Sequence, residues 1–180
     1  HIHIVFKLNN GIYMSYHDTR KFGRMIVKNE SELFSTKPLN KLALDANDPT
    51  FTKEALHIRL KGRKIPIKEA LLNQEIIAGL GNIYVDEVLF ASRISPLREA
   101  CNVSCTECGK ILEESRKILN KAIEYKGTTI RSYTSSLGVI GEFQNFLCVH
   151  TKEICPICKG EITKTRISGR GTYYCARCQK

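Results

Sequence analysis

The sequence predicts an α+β, multidomain chain, and three observations predict it. The opening residues alternate apolar and polar positions with the period of two that marks a half-buried strand. From Phe51 to Lys126 the apolar positions recur instead at helical spacing. The last stretch carries two Cys-x2-Cys pairs and a basic segment punctuated by glycines. This order divides the chain into β structure over 1–30, a linker over 31–50, a helical domain over 51–144 and a metal-stabilised finger over 145–180.

In the first part, Ile2, Ile4, Phe6 and Leu8 share one face, with His1, His3 and Lys7 on the other. Asn9-Asn10-Gly11 reads as a hairpin turn, because Asn-Gly tolerates the positive φ such turns demand. Ile12, Met14 and Tyr16 continue the alternation on the returning strand, and Met25-Ile26-Val27 is a further candidate strand. A two-stranded ribbon alone is too little sheet to be stable. The next twenty residues are polar and hold Pro38 and Asp48-Pro49, hence a connection.

Helices are expected over Phe51–Leu60, Ile65–Leu72, Asn82–Ser92 and Cys105–Tyr125. The last and longest carries Ile111, Ser115, Ile118, Ala122 and Tyr125 on one stripe, with Leu112, Leu119 and Ile123 beside it. Ser104-x-x-Glu107 has the form of a capping box at its start, and Gly127 supplies its stop. Residues 127–144 show little periodicity and read as a mobile loop. A hairpin is expected across residues 161–175.

Composition narrows the function. The 180 residues hold 28 Lys+Arg against 18 Asp+Glu, a formal +10, with 42% apolar and 26% charged residues. These are globular values, which exclude a disordered or collagen-like chain. No apolar run approaches the roughly 18 residues of a membrane span. A positive surplus of this size favours a polyanionic partner, nucleic acid foremost, although an inert basic surface has the same charge. The charge is also concentrated: residues 150–180 hold seven basic side chains against two acidic ones, half of the whole excess. The opening at His1 falls directly into a strand pattern, without a basic-then-apolar leader, so it reads as a cut.

Eight cysteines without a secretory signal argue for a reducing compartment rather than a disulfide framework. Cys155-x2-Cys158, sixteen intervening residues and Cys175-x2-Cys178 fit zinc-ribbon spacing. Four thiolates on two tight knuckles can close a tetrahedron around one structural Zn²⁺, supplying folding energy that so short a tail cannot draw from a core. A redox role for the two pairs is the competing view, but the βαβ context it needs is missing. Cys101, Cys105 and Cys108 have no fourth ligand near them and Cys148 stands alone, so all four read as small apolar or half-exposed residues.

Three positions invite chemistry. Gly79-Leu80-Gly81-Asn82 lies between helical patterns, where the next helix begins with free N–H groups that suit an anion. Asn82 could donate to a phosphate there, but the plain helix cap is the commoner role. Arg63, Lys64 and Lys68 lie upstream, as a solvated face or as part of a backbone clamp. Asp18-Thr19-Arg20-Lys21-Phe22-Gly23 reads as a loop at a strand end; Phe22 is either core or an apolar wedge between bases. Ser168-Gly169-Arg170-Gly171-Thr172 reads as a hairpin tip with Arg170 between two glycines.

Taken together, these segments closely resemble the formamidopyrimidine-DNA glycosylase family. The resemblance rests on Lys68-Glu69-Ala70-Leu71-Leu72 through Gly79-Leu80-Gly81-Asn82-Ile83-Tyr84-Val85-Asp86-Glu87, on Gly127-Thr128-Thr129, and on Gly169 through Cys175 with the closing Cys178-Gln179-Lys180. It extends over the chain in order. It implies the remnant of an N-terminal antiparallel β-sandwich, an all-α helix–two-turn–helix domain and a β-hairpin zinc finger. It also implies base-excision repair: excision of 8-oxoguanine and formamidopyrimidines, then β/δ-elimination at the abasic site. The partner would be duplex DNA with an oxidised purine or abasic site, bound by a monomer in the bacterial cytoplasm, at the nucleoid.

By the same resemblance, Gly81, Asn82 and Lys68 would grip phosphates around the damaged nucleotide. Arg20 would contact the orphaned cytosine and Phe22 would fill space left by base flipping. His1, Arg63 and Lys64 match or neighbour DNA-contact positions, and the loop from Arg131 would cover the everted base. Arg170 would hold phosphates and donate a proton in the final elimination. Thr19 and Lys21 stand where the family often has Pro and Arg. The family's N-terminal proline nucleophile and its neighbouring acid are not in this sequence, so the chain alone is expected to be inactive. Two other readings are an endonuclease VIII-like enzyme for oxidised pyrimidines and a zinc-ribbon module without catalysis.

Overall fold

The computed structural model describes residues 1–19, 21–129 and 141–180. Arg20, Arg131 and most of the expected base-covering loop lie outside the described residues. The chain forms two compact units, His1–Asn40 and Lys41–Lys180.

In the first unit, β1 (Ile2–Lys7) pairs antiparallel with β2 (Tyr13–His17), from Lys7↔Tyr13 at the turn to Ile2↔His17 at the far end. The turn is longer than two residues: Leu8 and Ile12 close a loop of Asn9, Asn10 and Gly11. The alternation expected of a half-buried strand is not matched by burial, since only Phe6 and Tyr16 of the two strands are partly covered. The third strand expected at Met25–Val27 is absent, and Val27 is 97% exposed. Three β-prone residues need a neighbouring edge to pair with, and none is formed there.

The second unit is built on four helices: α1 (Lys53–Leu60), α2 (Ile67–Leu72), α3 (Asn82–Ala91) and α4 (Cys105–Glu124). Thr52 caps α1 by accepting from the Ala55 N–H at 3.2 Å. Leu56 and Leu60 of α1, Ile67 and Leu71 of α2, Val85, Val88 and Leu89 of α3, and Ile111 and Leu112 of α4 meet in one core. Cys108 is fully buried in it, while Cys101, Cys105 and Cys148 are half-buried. Burial pushes the Cys108 thiol up to about 12, which keeps it neutral and unreactive. On α4 the expected stripe faces inward, but Ile123 beside it is 69% exposed.

Beyond α4, Gly127 donates to Ala122 O at 2.7 Å and ends the helix as expected. Phe143, Leu147 and Ala122 form a second small cluster with Tyr84, Tyr125 and Phe146 around it. The chain then forms β3 (Thr163–Ile167) and β4 (Arg170–Tyr174), an antiparallel hairpin in register from Thr163↔Tyr174 to Ile167↔Arg170. Its turn is only Ser168-Gly169, both at positive φ, so Arg170 opens β4 rather than sitting in the tip. No helix among the described residues is long and apolar enough to cross a membrane.

The capping box on α4 is complete. Ser104 Oγ accepts from the Glu107 N–H at 3.2 Å, and Glu107 accepts from the Ser104 N–H at 2.9 Å. Burial works against the Glu107 carboxylate, but the Ser104 N–H and the Arg98 guanidinium outweigh it and hold it below its ordinary 4.5. Ser104→Ala should therefore cost about 1 kcal/mol, read from the urea midpoint. Glu107's own contribution should be fully present above pH 4.5 and fade as the pH falls through the lowered native value.

Candidate metal centre and nucleic-acid interface

The four expected cysteines converge. The sulfurs of Cys155, Cys158, Cys175 and Cys178 all lie within 4.8 Å of one another. Cys155 to Cys178 is 3.8 Å and Cys158 to Cys175 is 3.5 Å. A tetrahedron with zinc–sulfur bonds of ~2.3 Å has sulfur–sulfur edges of about 3.8 Å, so the site fits a single zinc ion. Although burial opposes it, N–H groups of Cys158 and Ile157 hold the Cys155 thiol down to about 7, towards the thiolate a metal requires. Apart from the metal, the finger has little apolar substance. Val149, Cys155 and Cys175 pack with Phe90 of α3 and a few partly buried neighbours.

Much of what docks the finger on the helices is polar, and α3 supplies its two buried carboxylates. Glu87, 4% exposed, accepts from the N–H groups of Cys148, Val149 and His150 at 2.7, 2.9 and 2.8 Å. Burial raises its carboxyl above the ordinary range, and those three N–H groups pull it back. Asp86, 1% exposed, accepts from Lys68 Nζ at 2.7 Å on one oxygen. Its other oxygen takes His150 Nδ1 at 2.8 Å and the Tyr173 N–H at 3.2 Å. Gln179 closes the far side, accepting from the Cys175 N–H at 2.8 Å and donating to Ile94 O at 2.9 Å.

Lys68 is fully buried. Besides Asp86 it donates to Gly171 O at 2.9 Å. Burial pushes its ammonium down; Asp86 pulls it back up, and the nearby charge of Arg170 adds to the downward push. Asn82 Nδ2 donates to the same Gly171 O at 3.0 Å. The cap of α3 is Gly81, with no side-chain cap bond, so the plain-cap reading of Asn82 does not hold. A residue whose side chain crosses to another element cannot fold back on its own helix. Gly79 turns the chain into α3 at φ +85, and the Asp45 carboxylate lies 2.5 Å from where a Cβ would stand.

The structure thus brings Lys68, Gly81, Asn82 and the Arg170 strand together. Arg170 is exposed; Arg63 and Lys64 are exposed on the turn between α1 and α2. His1 and Phe22 belong to the first unit, where Phe22 is 75% exposed rather than core. Its loop is organised by Asp18, which accepts from the N–H groups of Lys21 and Gly23 at 2.9 and 2.7 Å. Sequence reasoning gave no role of their own to Asp86, Glu87, His150 and Gln179. The signal for the first two was present: adjacent acids between Ile83-Tyr84-Val85 and Val88-Leu89-Phe90 have no water-facing side to occupy.

Two outcomes follow from this geometry. Elemental analysis should find one zinc per chain, and chelation should unfold the hairpin while the far-ultraviolet signal of α1–α4 persists. Glu87→Ala strands three N–H groups at once and should cost roughly 3 kcal/mol or more in urea unfolding.

Comparison with known proteins agrees with both halves of this unit. Residues 42–134 match the formamidopyrimidine-DNA glycosylase H2TH domain, and residues 152–180 match a zinc finger found in FPG and IleRS. A formamidopyrimidine-DNA glycosylase of Ureaplasma parvum is 44% identical over 181 residues, covering 99% of this chain and 66% of the relative. One from an Exiguobacterium species is also 44% identical, covering 100% and 66%. The chain therefore spans just under two thirds of the length of these curated relatives. Among solved structures, MutM (Fpg) from Thermus thermophilus superposes with a TM-score of 0.90 at 32% identity, covering 99% of this chain and 68% of that one. A Lactococcus lactis Fpg variant in complex with a Fapy-dG containing DNA matches with a TM-score of 0.90 at 35% identity, covering 100% and 66%. With the H2TH model matching more than half of the chain and the zinc-finger model beside it, the chain belongs to the formamidopyrimidine-DNA glycosylase family.

Proposed function

We propose that this chain binds damaged duplex DNA as part of a base-excision enzyme for oxidised purines, nicking the abasic site by β/δ-elimination. The observation that carries the reading is the junction at Gly171, where the 3.0 Å bond from Asn82 sets the start of α3 beside the strand of Arg170. A helix N-terminus and an exposed guanidinium are each suited to a phosphate, and here they adjoin. The formal +10 of the chain and the basic excess of the finger support the same partner. Relatives named formamidopyrimidine-DNA glycosylase, and a neighbour solved on DNA containing Fapy-dG, point to the lesion class.

In this reading Gly81, Asn82 and Arg170 hold the backbone, and Arg63 and Lys64 add longer-range attraction. His1, Arg20, Phe22 and Arg131 meet the DNA around the lesion, with Phe22 as the wedge and Arg20 at the orphaned base. Lys68 acts indirectly, because its ammonium is already engaged by Asp86 and Gly171 O. Arg170 also donates the proton of the last elimination. Zinc supplies no chemistry at the lesion; when bound it holds the hairpin that carries Arg170. The place of action is the chromosome, in the bacterial cytoplasm.

Arg170→Ala and Asn82→Ala test the clamp. Each should weaken binding to every duplex by roughly tenfold. Arg170→Ala should also reduce the slope of log K against log salt by about 0.9. Fluorescence anisotropy over a potassium chloride series reads both effects, and unchanged binding by the two variants rejects the clamp.

A further inference from the structure

The outer edge of β4 has an unusual partner. Gly171 and Tyr173 are two residues apart, and both turn backbone groups away from β3. An edge strand in that position normally meets solvent or another strand. Here Gly171 O accepts from Lys68 and Asn82, and the Tyr173 N–H donates to Asp86. The Lys68–Asp86 ion pair, with both side chains fully buried, takes the place of a third strand: one ion answers the carbonyl and the other the amide. Arg170 is one peptide bond from the carbonyl held in this way.

We propose that Asp86 is a positioning residue for DNA binding, fixing the β4 edge through Lys68 and the Tyr173 amide so that Arg170 is presented to a phosphate. The inference rests on the clamp reading above and deepens it. Asp86 is out of reach of any phosphate, being 1% exposed and covered by Lys68, His150 and Tyr173. A buried pair that served stability alone would need no bond to the hairpin, since apolar residues can replace such pairs without loss. Both members of this one bond directly to the hairpin backbone. The chemistry is specific to the carboxylate. An amide could still accept from Tyr173, but its NH2 would face the Lys68 ammonium.

The direction of the effect separates this role from simple electrostatics. Removing a negative charge from a DNA-binding surface should tighten binding to a polyanion. If Asp86 positions Arg170, Asp86→Asn must instead weaken it. The test is a double-mutant cycle on the full chain, using anisotropy with a duplex that carries a tetrahydrofuran abasic analogue. Asp86→Asn should weaken binding about as much as Arg170→Ala, roughly tenfold, and lower the salt slope by about the same 0.9. Added to Arg170→Ala, it should cost nothing further, because Arg170 is then no longer there to be placed. A general structural defect would weaken both backgrounds equally.

The paired variant Lys68→Met with Asp86→Asn removes both buried charges together. It covers the case in which the single change fails to fold, and the same loss is expected from it, with zinc content retained. Unchanged or tighter binding by these variants, or losses that add to that of Arg170→Ala, would overturn the inference and leave the clamp standing. An Arg170→Ala chain that binds like the parent overturns the clamp, and this inference with it.

Discussion

Asp86 and Glu87 are consecutive residues of one helix, and each carries a carboxylate into a place that water does not reach. Neighbouring helix positions point about 100° apart, so the two reach different segments. Glu87 gathers three successive N–H groups at the entry to the finger, and Asp86 gathers Lys68, His150 and the outer edge of the hairpin. These two residues carry much of the docking of the finger on the helices, beside Gln179 and the backbone of Lys180. Neither can be lost singly, because each leaves buried partners unpaired, and an unpaired buried group costs more than a made bond returns.

That dependence explains the division of labour in the second unit. The helices hold themselves together by ordinary packing, with apolar side chains of all four meeting in one core. The finger has four buried apolar positions in its cluster, two of them metal-ligand cysteines and one of them borrowed from α3. Its internal order comes from the metal site and its orientation from hydrogen bonds. Orientation by directed bonds is stricter than orientation by apolar contact, since a hydrogen bond fixes both a distance and an angle while apolar contact is non-directional. A hairpin meant to place one guanidinium benefits from that strictness.

Much of this was legible in the residues, and the rest was hidden for definite reasons. The zinc pairs, the capping box at Ser104 and Glu107 and the four helices all rest on short-range spacing, which a sequence displays directly. Lys68 was readable as a cation but not as a buried one, because its partners Asp86 and Gly171 lie 18 and 103 residues away. Asn82 looked like a cap because caps are local; its real acceptor is 89 residues off. Met25-Ile26-Val27 failed in the opposite sense. Its strand propensity was genuine, but propensity without an edge to pair with forms nothing.

The long reach of these bonds also orders events during synthesis. Residues through α4 can pack as soon as they are made, since their core draws only on Ala46, Phe51, the four helices and the turns between them. At that stage Asp86 can already meet Lys68, but the acceptor that completes the lysine's surroundings is Gly171, 103 positions further on. At the usual 5–20 residues per second, roughly five to twenty seconds of translation separate the two. During that interval water takes the places that Gly171 O and the N–H groups of Cys148, Val149 and His150 later fill at Lys68 and Glu87. The helical domain therefore waits in an unfinished state, and the emerging finger, once it has its metal, completes the domain before it as well as itself.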